Sequence, residues 1–187
     1  MVLSSGVHKE YTNFDSELRN VKLKIITEGF KFSVKSNMLD KMSPQLDMVR
    51  SQFSNDVITG SLALNLYELI YRDISDIDII INDSTRYTNY IKYSAYSDLE
   101  NVSNLGYKVM SYKRNIFSRS KDFKIDFFKN DDVRYNTFIY RDTELRVQEP
   151  LQIITEKINI YELSEINRNE SRIKHRNDLF EIFKRIN

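Results

Sequence analysis

The stretch TGSLALNLYELIYRDISDIDIIIN, residues 59–82, constrains the fold more than any other part of the chain. DVIT, ending at Thr59, reads as a short strand, and Gly60-Ser61 as a turn. The apolar spacing over Leu62–Tyr71 predicts a helix. IDIIIN then reads as a buried strand with Asp76 and Asp78 at its head. A strand–turn–helix–strand unit of this kind belongs in an α+β domain, in which helices pack on a sheet.

The remaining segments extend that picture. VKLKIITEGFKFSVK, residues 21–35, alternates around Glu28-Gly29 and reads as a hairpin, although its first half also suits a helix. Met38, Met42, Leu46, Val49 and Phe53 share one helical face, and Pro44 predicts a late start for that helix. Another helix is expected from Thr85 to Asn104, ended by Gly106. YKVMSYKRNIF and FKIDFF alternate as half-buried strands of one antiparallel sheet, and ELRVQ adds a further strand. Helices are expected over Leu151–Leu163, opened by Pro150, and Glu170–Ile186. The predicted architecture is a small mixed β-sheet flanked by helices, with the C-terminal helices closing one side of a cleft. Its segments are an N-terminal extension (1–54), a core (55–148) and a C-terminal helical segment (149–187).

Composition excludes several chemistries. With 187 residues and 41% hydrophobic content, the chain can bury a sizeable core. A net charge of +1 provides no global field for nucleic acid or a membrane surface. The absence of cysteine removes disulfides and thiolate catalysis and disfavours structural zinc. The two histidines, His8 and His175, are too far apart in sequence to form a local cluster. No apolar run reaches membrane-spanning length, so a cytoplasmic protein is expected.

Side chains at i and i+2 of a strand point to one face, roughly 6–7 Å apart along the chain. Asp76 and Asp78 so placed repel each other unless a cation lies between them. Hard carboxylate oxygens suit Mg²⁺, which takes one or two carboxylates plus water and phosphate. Asp126, the one carboxylate inside FKIDFF, is the candidate third ligand. Asp-x-Asp is common in solvated turns, but here Ile79, Ile80 and Ile81 follow directly, and burying unpartnered charges costs several kcal/mol. Gly60 permits close approach of a phosphate, Ser61 adds a hydroxyl, and a helix N-terminus offers free N–H groups. Ser61 is also an ordinary helix cap.

Other residues carry two readings. Lys157 falls inside the apolar arc formed by Leu151, Ile153, Ile154, Ile158, Ile160 and Tyr161, as a cleft lysine or as a snorkelling one. Asp178 lies at the edge of its arc, for the cleft or for a pair with Lys174, and Arg176 lies between Phe180 and Phe183. Arg72 is a phosphate contact or a solvated helix end. Tyr87, Tyr90 and Tyr93 step by three, which fits packing better than base stacking. Lys108, Lys113, Arg114, Arg119, Lys121 and Lys124 can form a basic rim or merely solvate strands.

GSLALNLYELIYRDISDIDIII resembles the signature of the DNA polymerase β-like nucleotidyltransferases: Gly-Ser, a helix, Asp-x-Asp on a strand and a later third Asp. EPLQIITEKINIYEL followed by RIKHRNDLFEIFK is similar to the C-terminal pattern of AbiEii-type nucleotidyltransferase toxins of type IV toxin–antitoxin systems. The resemblance covers about residues 55–187. It departs from the AbiEii pattern at Gly60-Ser61, usually Gly-Gly, and at Asn177-Asp178, usually Arg-Asp. It implies a nucleotidyltransferase fold and transfer of a nucleotide from an NTP to an acceptor hydroxyl. Asp76, Asp78 and Asp126 would ligate two Mg²⁺ ions. Gly60, Ser61, Arg72, Lys157 and Asp178 would bind nucleotide. The acceptor would be tRNA or another RNA, the setting a toxin–antitoxin or phage-defence system with a cognate antitoxin. The competing expectations are a small-molecule nucleotidyltransferase of the aminoglycoside or lincosamide type, and a catalytically idle nucleotide- or RNA-binding module.

Overall fold

A computed structural model describes residues 14, 16–24, 31–74, 76–87, 101–102, 108–115, 122–163 and 170–186. At the centre of its sheet lies β2 (Asp76–Ile81), paired antiparallel with β1 (Val57–Thr59), with Ile58 opposite Ile79 and Thr59 opposite Asp78. β2 runs parallel to β5 (Asp122–Lys129), and β1 runs parallel to β7 (Thr143–Gln148). β3 (Asn101–Val102) and β4 (Lys108–Asn115) extend the sheet beyond β5, and β6 (Tyr135–Tyr140) forms the opposite edge. Among the described residues the sheet has seven strands in the order β3-β4-β5-β2-β1-β7-β6, and it is mixed. The antiparallel pairing expected for YKVMSYKRNIF and FKIDFF is present between β4 and β5, but the sheet as a whole is not antiparallel.

The period of two in β2 gives the sheet its two faces. Ile77, Ile79 and Ile81 are fully buried, and with Ile58, Ile125 and Phe127 they form the core on one side. Each such side chain contributes about 1.5–3 kcal/mol through burial. Phe53, just beyond α3 (Ser43–Gln52), meets Phe127 edge-on with ring centroids 5.3 Å apart. The alternate residues Asp76, Asp78 and Ile80 point the other way, toward α6 (Pro150–Leu163) and α7 (Glu170–Ile186). A helix α1 (16–24) follows Phe14, whose ring stacks on Phe183 of α7 and meets Tyr161 of α6 edge-on. The two C-terminal helices therefore wall the acidic face, as expected.

Several expectations are corrected. Residues 21–24 belong to α1, the helical alternative for that half, and 31–35 form no strand, so the described ends of the predicted hairpin are not paired. Its turn at Glu28-Gly29 lies outside the described residues. The helix expected over 38–53 is two, α2 (Ser36–Lys41) and α3, broken at Met42 because Pro44 suits only the first turn of a helix. The helix expected over Leu62–Tyr71 is α4 (Gly60–Leu66), which stops five residues early where Glu68 turns left-handed at φ 57°. A helical stretch, α5 (84–87), begins where predicted, but Asn101–Val102 is a strand and not the end of that helix. Among the described residues, no helix is long and apolar enough to cross a membrane.

Candidate functional site

Parallel pairing of β2 with β5 sets Asp78 directly opposite Asp126. Asp76, two residues before Asp78, shares its face, so one carboxylate oxygen from each of the three lies within 4.8 Å of the others. Three carboxylates this close repel strongly when ionised. Burial, with Asp76 and Asp126 alongside, pushes the Asp78 carboxyl up to about 7, against the pull of Lys157 and Lys174. Asp76 Oδ1 is buried without a hydrogen-bond partner, and Lys174 Nζ reaches only to 3.8 Å from its other oxygen. A hard divalent cation satisfies both features at once, and the donor set fits it.

Gly60 makes this crowding possible. It sits at φ +62°, and a β-carbon there would overlap Asp78 Oδ2 and come within 2.7 Å of Asp78 Cγ. Only glycine supplies both the left-handed backbone and the space. α4 starts at this point, but at seven residues it is too short for its dipole to dominate anion binding. The positive charge comes from side chains instead.

Lys157, 6% exposed, holds Asp178 at 2.8 Å, and Arg72 Nε donates to the other Asp178 oxygen at 3.1 Å. The same guanidinium donates through Nη2 to Ser61 Oγ. Burial pushes the Asp178 carboxyl up, but Lys157 and Arg72 outweigh it and hold the group below its ordinary value. All five residues predicted to bind nucleotide thus gather beside the acidic trio. Gly60, Ser61 and Lys157 line the pocket between sheet and helices, whereas Arg72 and Asp178 stand behind them. The snorkelling reading of Lys157 is excluded by its buried ion pair.

The pocket measures about 380 Å³, within the range of small-molecule sites. Its lining combines the polar Asp76, Asp78, Ser61, Lys157, Lys174 and His175 with the apolar Ile80, Phe128, Ile153 and Ile160. Lys174, Phe128, Asn130, Glu156 and His175 were not foreseen as site residues. Strand alternation from Asp126 would have marked Phe128 and Asn130, and helical spacing would have placed Lys174 one turn from Asp178. Lys174 approaches Asp76 and not Asp178. Burial beside Lys157 pushes the His175 imidazole down to about 4, so it is neutral at pH 7. Buried Gln148 accepts from Thr59 Oγ1 and donates to Glu156 at 3.0 Å, bracing α6 against β1. Arg176 lies over the Phe14 ring, 5.4 Å from its centre, and is not among the pocket residues. Tyr87 is buried in the core, as the packing reading expected, while Tyr90 and Tyr93 lie outside the described residues.

No protein-family model matches the chain, and no curated protein matches it either. Among solved structures, it is similar to an antigenic nucleotidyltransferase-like protein from Paracoccidioides brasiliensis, at 18% identity and a TM-score of 0.44. That alignment covers 81% of this chain and 78% of the other. The likeness is too distant to transfer a residue role or an activity.

Proposed function

We propose that the chain is a Mg²⁺-dependent nucleotidyltransferase that moves a nucleotide from an NTP to an acceptor hydroxyl. The observation that carries this reading is the convergence of Asp76, Asp78 and buried Asp126 within 4.8 Å, with Asp76 and Asp78 lining a pocket that Lys157 and Ser61 also line. A pure binding module would gain nothing from three carboxylates facing phosphate, because their repulsion weakens anion binding.

Two Mg²⁺ ions at the trio would supply charge neutralisation on the phosphates and lower the pKa of the attacking hydroxyl. Asp76 and Asp78 would hold both, with Asp126 as the further ligand of one. Lys157 and Lys174 place ammonium groups on the pocket wall, where they would meet the triphosphate. Gly60 and Ser61 line the same pocket; Gly60 leaves room for the Asp78 carboxylate, and the Ser61 hydroxyl accepts from Arg72. The acceptor oxygen forms a new bond to the α-phosphorus as the α–β bridging P–O bond breaks. Pyrophosphate leaves with that electron pair, and the hydroxyl proton passes to solvent. Neutral His175 offers the pocket a hydrogen-bonding edge without added charge.

By resemblance the acceptor is tRNA or another RNA, in a toxin–antitoxin or phage-defence setting with a cognate antitoxin; this part rests on the sequence motifs alone. A small-molecule acceptor is the second reading, favoured by the apolar wall of Ile80, Phe128, Ile153 and Ile160. Incubation with each labelled NTP, Mg²⁺ and total cellular RNA tests both. Label in a discrete RNA supports the first, and label in small molecules of a cell extract supports the second. Absence of Mg²⁺-dependent nucleotide binding by the purified protein would remove the enzymatic reading.

A further inference from the structure

We propose that Asp178 is a positioning residue that acts through Lys157 and Arg72 and makes no contact with nucleotide. The proposal rests on the nucleotide-binding reading of the pocket. Three segments distant in sequence meet at this carboxylate: α6 through Lys157, the chain leaving α4 through Arg72, and α7 through Asp178 itself. One oxygen faces the Lys157 ammonium at 2.8 Å and the other faces Arg72 Nε at 3.1 Å. Asp178 is 4% exposed and absent from the pocket lining, whereas Lys157 and Ser61 are part of it.

Arg72 makes the arrangement directional. Its planar fork donates Nε to Asp178 and Nη2 to Ser61 Oγ, so one guanidinium fixes the acid and the hydroxyl together. A lysine cannot span both, because a single ammonium lacks the fork. Asp178 and Arg72 thus form a rear layer whose product is the location of two pocket groups, the Lys157 ammonium and the Ser61 hydroxyl. The two ends of the layer lie on α7 and on the segment that leads into β2, so it also fixes α7 relative to the acidic strand.

A nucleotide contact and a positioning residue differ in sign when the charge is removed. Asp178→Asn deletes a negative charge that partly neutralises Lys157, so a triphosphate is attracted at least as strongly as before. Lys157 is then no longer held in place, and transfer suffers by roughly 10–100-fold, as for a misplacement of about 1 Å. The experiment measures affinity for a non-hydrolysable NTP and for the monophosphate with Mg²⁺, label transfer, and thermal melting, in wild type and Asp178→Asn. Triphosphate affinity equal to or above wild type, unchanged monophosphate affinity and transfer down at least about tenfold are expected. Weaker binding of both nucleotides would make Asp178 a contact and overturn the proposal; so would wild-type transfer. If Asp178→Asn does not fold, Arg72→Lys decides, because it keeps the charge and leaves the buried Lys157–Asp178 pair intact. The same split is expected, and wild-type transfer in Arg72→Lys overturns the proposal. Failure of the wild-type protein to bind an NTP with Mg²⁺ instead sinks the underlying reading of the pocket.

Discussion

Gly60 and Asp78 occupy one small space: the missing side chain of the first leaves room for the carboxylate of the second. They belong to the helix start and the acidic strand, the two halves of the sequence signature. Their proximity explains why a chain with four glycines spends one here.

Gly60→Ala is expected to fail on two counts. A left-handed alanine costs about 1–2 kcal/mol, and overlap with the Asp78 carboxylate adds about 1–3 kcal/mol of crowding. Divalent-metal affinity should fall with stability, because Asp78 is the group that must move. Adding Asp78→Ala should relieve the crowding, so the double variant melts above the sum of the singles. Strict additivity in urea unfolding would show that the two residues do not share this space.

Asp78 also sets a pH dependence. Its folded carboxyl titrates near 7, above the ordinary value of about 3.9 in an unfolded chain. Between those values the folded state holds the extra proton. In metal-free protein the stabilising contribution is therefore full below about pH 4 and lost as pH rises through about 7. Asp78→Asn should flatten this slope and melt higher than wild type at pH 8 in EDTA, while transfer falls roughly 10²-fold or more. Full transfer in this variant would remove Asp78 from the chemistry.

Divalent metal should reverse that loss. Mg²⁺ that binds the trio only in the folded state adds about 2.7 kcal/mol at a hundredfold excess over its Kd. The shift should grow when NTP is present, since three carboxylates leave other Mg²⁺ positions to phosphate oxygens. Equal melting with Mg²⁺ and with EDTA, at pH 8 and with NTP present, would count against a metal site at Asp76, Asp78 and Asp126.

The parts of the fold visible in the sequence were those where one face differs chemically from the other. Asp76, Asp78 and three isoleucines mark a strand with a polar mouth, and Asp126 marks its neighbour for the same reason. Register was not legible: nothing local says that Asp78 stands opposite Asp126, because strand pairing is a tertiary fact. β6 was missed because its turn, Arg141-Asp142, adopts the left-handed conformation without the Asn-Gly or Asp-Gly that usually announces it. The early end of α4 was hidden similarly, since Glu68 turns left-handed where a glycine would have given warning. In the site, resemblance brought Arg72 and Asp178 to the nucleotide, but sequence could not show that the two charges pair with each other.

The last prediction separates stability from binding at Lys157. Its ammonium is buried against Asp178, and removing one partner of a buried pair costs about 3–5 kcal/mol when nothing replaces it. Arg72 stays beside Asp178, so Lys157→Ala should lie toward the low end of that range. Lys157→Met combined with Asp178→Leu removes both charges and leaves apolar volume, so most of the lost stability should return. Arg72 is part-exposed and should turn to solvent in this double variant. Triphosphate binding should nevertheless stay weak in the double variant, because the ammonium that lines the pocket is gone, while monophosphate binding changes little. Urea unfolding and nucleotide titration on the same preparations read the two effects independently. A loss below about 1 kcal/mol in Lys157→Ala, the size expected of a surface pair, would deny the buried pair its structural weight. Recovery of triphosphate binding together with stability would show that Lys157 serves the fold alone.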